Sequence, residues 1–446
     1  MRRYTLLWSS APFQRLWRWA LDHKVPIAVT ALGLAMRILY RFWGGSGMEH
    51  DERFTYWVCA LPWDRFFLAL LHDVHPPLYY ILAKLFSPHL VALASSAMAG
   101  WGIRSLAGRI RPGAGDWALA AYMLWPAMAQ EGSMARMYPT LHALSAWALA
   151  ASSPVLWGLA ASTHHLAWPA AVAWWALCSR RPGDLAKMAL AGAPGLVFLA
   201  WQADRPHFAN ENRHGIWGSL VMLGLLIGPA TPGPMLSITV IGAPVAIAVA
   251  ILWLWRNWRP GVAIAFSPGL YGWAGGLMLP RYWGAGIPAL CAAFGGAMAE
   301  ERRLRVFFSV ISAAALAIGP LPFREPPRLP SEAKCWLMIG TDTFLKLGRA
   351  DRDMLYPEWD IGAGLHPITV KAMGIPIGSL EEAQRRGCWA AWVEPYGPSR
   401  ISAIAAAILK DPYPIHWGGG TIWISKTLPA AGGEVRIEEL RDGEGE

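Results

Sequence analysis

Apolar stretches separated by short polar or basic breaks recur from Val25 to Leu321, and the pattern changes abruptly beyond. A run of roughly 17–25 residues with few charges is long enough to cross a hydrocarbon core about 30 Å thick as a helix. The first covers residues 25–43. Further spans are expected at 77–86, 90–106, 117–129, 139–151, 155–177, 185–201, 216–230, 235–255, 262–279, 285–299 and 306–321. Several are too short to cross alone, so about nine to twelve crossings are predicted. The break Thr231-Pro232-Gly233-Pro234 suits a re-entrant turn at the end of 216–230, tolerated where backbone lines a protein cavity.

Two segments depart from this pattern. Residues 44–75 read as an external loop rich in charged and aromatic residues, whose amphipathic middle, 54–71, suits the membrane interface. Pro320, Pro322, Pro326, Pro327 and Pro330 then close the helical region, since clustered prolines end helices. Beyond them, 335–339, 389–393 and 421–424 have strand length, and 380–386 and 401–410 read as helical. The expected fold is an all-α polytopic membrane bundle (25–321) followed by a small C-terminal α/β domain (322–446) outside the membrane.

Composition supports this division. The chain is 54% hydrophobic and only 15% charged, against about 45–50% and 25% in soluble domains. Arg2, Arg3, Arg15, Arg18 and Lys24 precede the first apolar run, which begins too late for a cleaved secretory signal. Residues 1–24 are therefore expected to be a cytoplasmic leader before a retained span in the cell membrane. From Arg324 onward the charge is −3, leaving +12 for the membrane part. Part of that excess sits in Arg180-Arg181, Arg256 to Arg259 and Arg302 to Arg305, where it marks cytoplasmic loops and argues against nucleic-acid binding. Arg281 lies between spans whose far ends are basic, and so falls outside. The cysteines form no CxxC pair. Cys335 and Cys388 would pair if their domain faces an oxidising compartment, and are otherwise buried thiols.

Candidate chemistry gathers after the first span. In Met48-Glu49-His50-Asp51-Glu52-Arg53, a carboxylate at the membrane surface suits a general base for an attacking hydroxyl, although adjacent acids in a loop are commonly a solvated face. His72-Asp73-Val74-His75-Pro76-Pro77-Leu78-Tyr79-Tyr80 follows, with the double proline at the mouth of the next run. Arg37 and Arg41 are unusual inside an apolar segment, where charge is expensive; an ion pair or cavity role is expected for Arg37.

Asp51-Glu52 followed by His75-Pro76-Pro77-Leu78 resembles the membrane glycosyltransferases of the protein O-mannosyltransferase superfamily, including relatives that modify lipopolysaccharide or lipid. Further matches are Glu131 with Ala135-Arg136-Met137-Tyr138, then Thr163-His164-His165, and Pro280-Arg281-Tyr282 leading to Pro288-Ala289-Leu290. The similarity covers roughly residues 25–300. One departure is that Gly132-Ser133-Met134-Ala135 separate Glu131 from Arg136, where relatives hold the two almost adjacent. The resemblance implies sugar transfer from a polyprenyl-phosphate carrier to a hydroxyl of a protein, lipid or glycan. It implies Asp51 and Glu52 as catalytic residues, and His75, Arg136, Tyr138, His164, Arg281 and Tyr282 as substrate-binding. Arginine suits the departing phosphate because its planar fork binds two oxygens and keeps its charge. His72, Asp73 and His75 have the chemistry of part of a divalent-cation site; with no complete ligand set, no metal is assigned. A lipid or solute transporter is the alternative, but the paired repeats expected of one are not visible.

Overall fold

The computed structural model describes residues 22–43, 50–71, 75–202, 247–274, 280–318, 329–339, 354–357, 376–393, 411–417 and 420–428, with Gly374 and Leu409. The leader up to 21, the expected span 216–230 with its Thr231–Pro234 break, His72 and Asp73, most of the proline boundary, the expected helix 401–410 apart from Leu409, and the acidic tail lie outside the described residues.

The part up to residue 318, expected to lie in the membrane, is helical in its described residues. In order come α1 (Lys24–Trp43), α2 (His50–Ala60), α3 (Trp63–Leu70), α4 (Leu78–Phe86), α5 (Pro88–Ile110), α6 (Gly115–Leu124), α7 (Pro126–Ser133) and α8 (Tyr138–Ala151). Then follow α9 (Pro154–Thr163), α10 (Ala167–Trp174), α11 (Pro182–Ala191), α12 (Ala193–Gln202), α13 (Ile247–Asn257), α14 (Arg259–Ala274), α15 (Ile287–Glu300) and α16 (Arg302–Ile318). Proline sets many of the starts. α5, α7, α8, α9, α11 and α15 all carry one in their first two positions, where the missing N–H costs nothing and the fixed φ suits a helix.

Three expected spans are divided. The stretch 117–129 breaks at Trp125-Pro126, 155–177 at His164, and 185–201 at Gly192. At the first break Pro126 has no N–H for the Tyr122 carbonyl. Arg37, fully buried in α1, replaces it: Nη2 donates to Tyr122 O (3.3 Å) and Met128 O (3.2 Å), and Nη1 to Met123 O (2.8 Å) and Gly33 O (2.9 Å). The arginine expected to hold an ion pair or line a cavity thus serves backbone carbonyls at a helix break. Arg37→Leu should lower stability by about 3 kcal/mol or more, because buried carbonyls lose their donor; a fall in unfolding temperature in detergent would show it.

Among the described helices, large apolar side chains lie on the surface while several polar ones lie inside, the distribution expected of a chain in lipid. Leu32, Leu39, Leu90, Met98, Leu190, Val197, Leu252 and Val310 are exposed, whereas Arg37, Ser96, Thr140, His142 and Ser145 are buried. Helices meet at small residues. A Cβ on Gly102 of α5 would lie 2.9 Å from Ala146 of α8, and one on Gly295 of α15 would lie 2.3 Å from the Ala118 backbone of α6. Among the described residues, α5, at 23 residues, is the one helix both long and apolar enough to cross a bilayer by itself.

The described part of segment 44–75, expected as a loop, folds largely into α2 and α3. Phe66, Ala69 and Leu70 of α3 are buried while Trp63, Phe67 and Leu68 are exposed, the two-faced pattern of an interfacial helix. Lys84 of α4 caps the end of α2, donating to Cys59 O (2.9 Å) and Leu61 O and lying 4.8 Å from the centre of the Trp63 ring.

The C-terminal part holds β1 (Trp336–Ile339), β2 (Met354–Pro357), β3 (Ile377–Gly378), α17 (Leu380–Arg385), β4 (Trp389–Val393), β5 (Tyr413–Trp417) and β6 (Gly420–Ser425). The sheet order is β3-β2-β1-β4-β6-β5; the first four strands are parallel and β6 runs antiparallel to both neighbours. Alternation along β1 sends Leu337 and Ile339 to one face with Leu355 and Ala390. Trp336 and Met338 join Tyr356, Ala391, Ile422 and Ile424 in an apolar cluster continuous with that of the helices. Strands β2, β3 and β5 lie outside the expected strands; β3 has two residues and β5 carries Pro414 and His416, so neither shows a strand pattern. Cys335 and Cys388 form a disulfide just before β1 and β4. Replacing both by serine should cost about 2–5 kcal/mol, measurable as earlier unfolding of the sheet.

Candidate active site

Four local structures converge. The first is the start of α2, where Asp51 and Glu52 occupy the first turn and complement the helix dipole. Thr55 Oγ1 donates to Asp51 O (2.9 Å) and steadies that turn. The second is the short link from α7 to α8. Met134 is extended, Arg136 N donates to Met134 O (2.9 Å), and the resulting bend turns the Ala135 N–H and the Arg136 side chain toward α2.

Glu52 is buried and makes the join. Its Oε1 accepts from Ala135 N at 2.7 Å, and Oε2 lies 3.7 Å from Arg41 Nη1. Arg41 stands one helical turn after Arg37, so α1 presents both arginines on neighbouring turns of one face. Asp51 is paired with Arg136: the carboxylate is 27% exposed and the guanidinium only 2%. The adjacent acids thus have different surroundings, one anchored in the interior and one partly exposed. Tyr56 and Cys59 line the same helix, and burial raises both, the thiol to about 12. Cys59 is therefore a neutral thiol beside the Tyr80 carbonyl, at 3.8 Å.

The third and fourth structures supply a ring cluster. Arg136 lies over the Tyr138 ring at 5.0 Å. Tyr138 lies 5.7 Å from the His164 ring, His164 lies 5.3 Å from His75 edge to face, and His165 lies 5.0 Å from His164. His164 ends α9, and its Nδ1 accepts from Leu166 N (3.2 Å), which leaves the proton of a neutral ring on Nε2. The Thr163-His164-His165 element is thus the break between α9 and α10. Asp51, Glu52, His75, Arg136, Tyr138 and His164 are thus brought together.

Arg281 and Tyr282 lie on the 3₁₀ segment Pro280–Gly286. A Cβ on Gly284 would meet Leu141 at 2.8 Å and Tyr138 at 3.6 Å, so this segment packs beside the start of α8. The side chains of Arg281 and Tyr282 are outside the described residues. Glu131 is buried in the last turns of α7. Among the described residues no three His, Cys, Asp or Glu side chains gather as a metal site.

No protein-family model matches the chain, and neither does any curated protein. Among solved structures, apo ArnT from Cupriavidus metallidurans aligns over 90% of this chain and 97% of its own, at 12% identity and a TM-score of 0.51. The fold is similar to that of ArnT. The structure of ArnT bound to undecaprenyl phosphate covers 90% of this chain and 98% of its own at 12% identity, with a TM-score of 0.38. At this identity the likeness to ArnT is one of fold.

Sequence reasoning missed two contacts within the fold shared with ArnT. Arg41 stands out in the sequence for its charge alone, and its i+4 spacing from Arg37 is the signal that it shares a face with its neighbour. Ala135 contributes through its backbone N–H, and an alanine carries no sequence signal for that.

Proposed function

We propose that the protein is a multi-pass membrane glycosyltransferase that moves a sugar from a polyprenyl-phosphate donor to an acceptor hydroxyl on the outer face of the membrane. The observation that carries the reading is the pairing of a partly exposed carboxylate, Asp51, with a buried arginine, Arg136. The ArnT-like fold and the apolar outer surface support the membrane part, and the resemblance carried by Asp51-Glu52 and His75-Pro76-Pro77-Leu78 supports the lipid carrier. The Cys335–Cys388 bond supports a C-terminal domain in an oxidising, extracytoplasmic compartment, and the basic residues ahead of the first apolar run favour a cytoplasmic leader.

Asp51 removes the proton from the acceptor hydroxyl as the oxygen attacks the anomeric carbon. Arg136 exchanges Asp51 for the donor phosphate, which both releases the base and stabilises the departing charge. Glu52, held by Ala135 N and beside Arg41, fixes the start of α2 against the α7–α8 link and so sets the distance between base and phosphate. Tyr138, His75 and His164 wall the sugar side, and the family resemblance alone assigns Arg281 and Tyr282 to substrate binding. A phosphate leaving group needs positive charge rather than a general acid, because its pKa is about 6.

One attack without a covalent intermediate inverts the anomeric centre. Incubating the purified protein with polyprenyl-phosphate sugar and acceptor, then treating the product with anomer-specific glycosidases, tests this. An inverted linkage is expected, and a retained one would require a covalent sugar-enzyme intermediate and overturn the single displacement.

A further inference from the structure

Tyr79 is the second residue of α4, directly after His75-Pro76-Pro77-Leu78, and its side chain is completely buried. Its ring meets that of Tyr80 edge to face at 5.5 Å. The hydroxyl is also buried and makes no hydrogen bond among the described residues. The groups within electrostatic reach of it include Glu52 and Arg136, with Cys59 and Tyr56 on α2.

A buried hydroxyl without a partner lowers stability, and phenylalanine would fill the same volume without that cost. This hydroxyl is within electrostatic reach of Arg136, an arginine that the reading above assigns to phosphate. A phosphate ester has more free oxygens than one guanidinium fork can bind. A neutral donor in a water-excluded position also strengthens its contact as charge develops on leaving.

We propose that Tyr79 is a second donor to the leaving phosphate, its hydroxyl turning to a phosphate oxygen when Arg136 releases Asp51. This rests on the donor reading above and adds a residue to it. Donation from Tyr79 needs no proton transfer, so the tyrosine stays neutral throughout.

The test is Tyr79→Phe in the full-length protein in nanodiscs, with binding of a short-chain polyprenyl phosphate compared with binding of the corresponding uncharged polyprenol. The wild type is expected to prefer the phosphate. The variant should bind the phosphate about tenfold more weakly or worse, as for a hydrogen bond to a charged group, with polyprenol binding and unfolding temperature not reduced. Equal phosphate binding by both proteins would overturn the role of Tyr79 alone, as would an equal loss for phosphate and polyprenol. Absence of any preference for the phosphate in the wild type would overturn the donor reading, and the role of Tyr79 with it.

Discussion

Asp51→Asn is expected to reduce sugar transfer by about 10²–10⁴-fold, the range for loss of a positioned general base, while leaving the protein folded and able to bind its donor. The amide has the size of the carboxylate, and its oxygen still accepts from Arg136, so the start of α2 should keep its position. What is lost is the capacity to take a proton from the acceptor hydroxyl. Steady-state transfer, read beside unfolding temperature and polyprenyl-phosphate binding, separates these effects. Full transfer by a correctly inserted Asp51→Asn protein would mean that the base lies elsewhere.

Arg136→Lys is expected to lower the turnover rate by about 10²–10³-fold, as for removal of one preorganised donor to developing charge. The charge survives, but the fork does not. Arg136 is almost completely buried, lies over Tyr138 and reaches Asp51 from a fixed bend. A lysine ammonium cannot bind two phosphate oxygens in parallel while lying flat on the ring. Turnover and donor affinity should both fall. Wild-type kinetics in the lysine variant would reduce Arg136 to the partner of Asp51 and assign the phosphate to other groups, Arg281 first among them.

Much of this site was legible because its residues stand at helix ends marked by proline or charge. Asp51 and Glu52 open α2, His75 precedes the prolines before α4, and Tyr138-Pro139 opens α8. Such positions announce themselves in sequence, since only a few residue types start helices well. The apolar runs likewise gave the helical region and the change of character at the prolines.

The hidden features depend on tertiary contact. The run 117–129 reads as one span because its composition is uniformly apolar; the break at Pro126 is stable only because Arg37 arrives from α1. The anchoring of Glu52 on Ala135 N joins residues 83 positions apart. Residues 44–75 read as a loop because polar and aromatic residues alternate without a long apolar run, yet α2 and α3 form once Lys84 caps the turn between them. The strands β3 and β5 are defined by their neighbours in the sheet rather than by their own pattern.

The most direct test of the central claim is transfer of label from a lipid-linked sugar. Purified protein in nanodiscs would be given radiolabelled sugars on polyprenyl phosphate, or the same sugars on nucleoside diphosphates, together with a membrane extract containing acceptors. The predicted result is label moving to an acceptor from a polyprenyl-phosphate sugar alone, with polyprenyl phosphate released. No transfer from any lipid-linked sugar by demonstrably folded protein, across a complete panel of donors and acceptors, would contradict it.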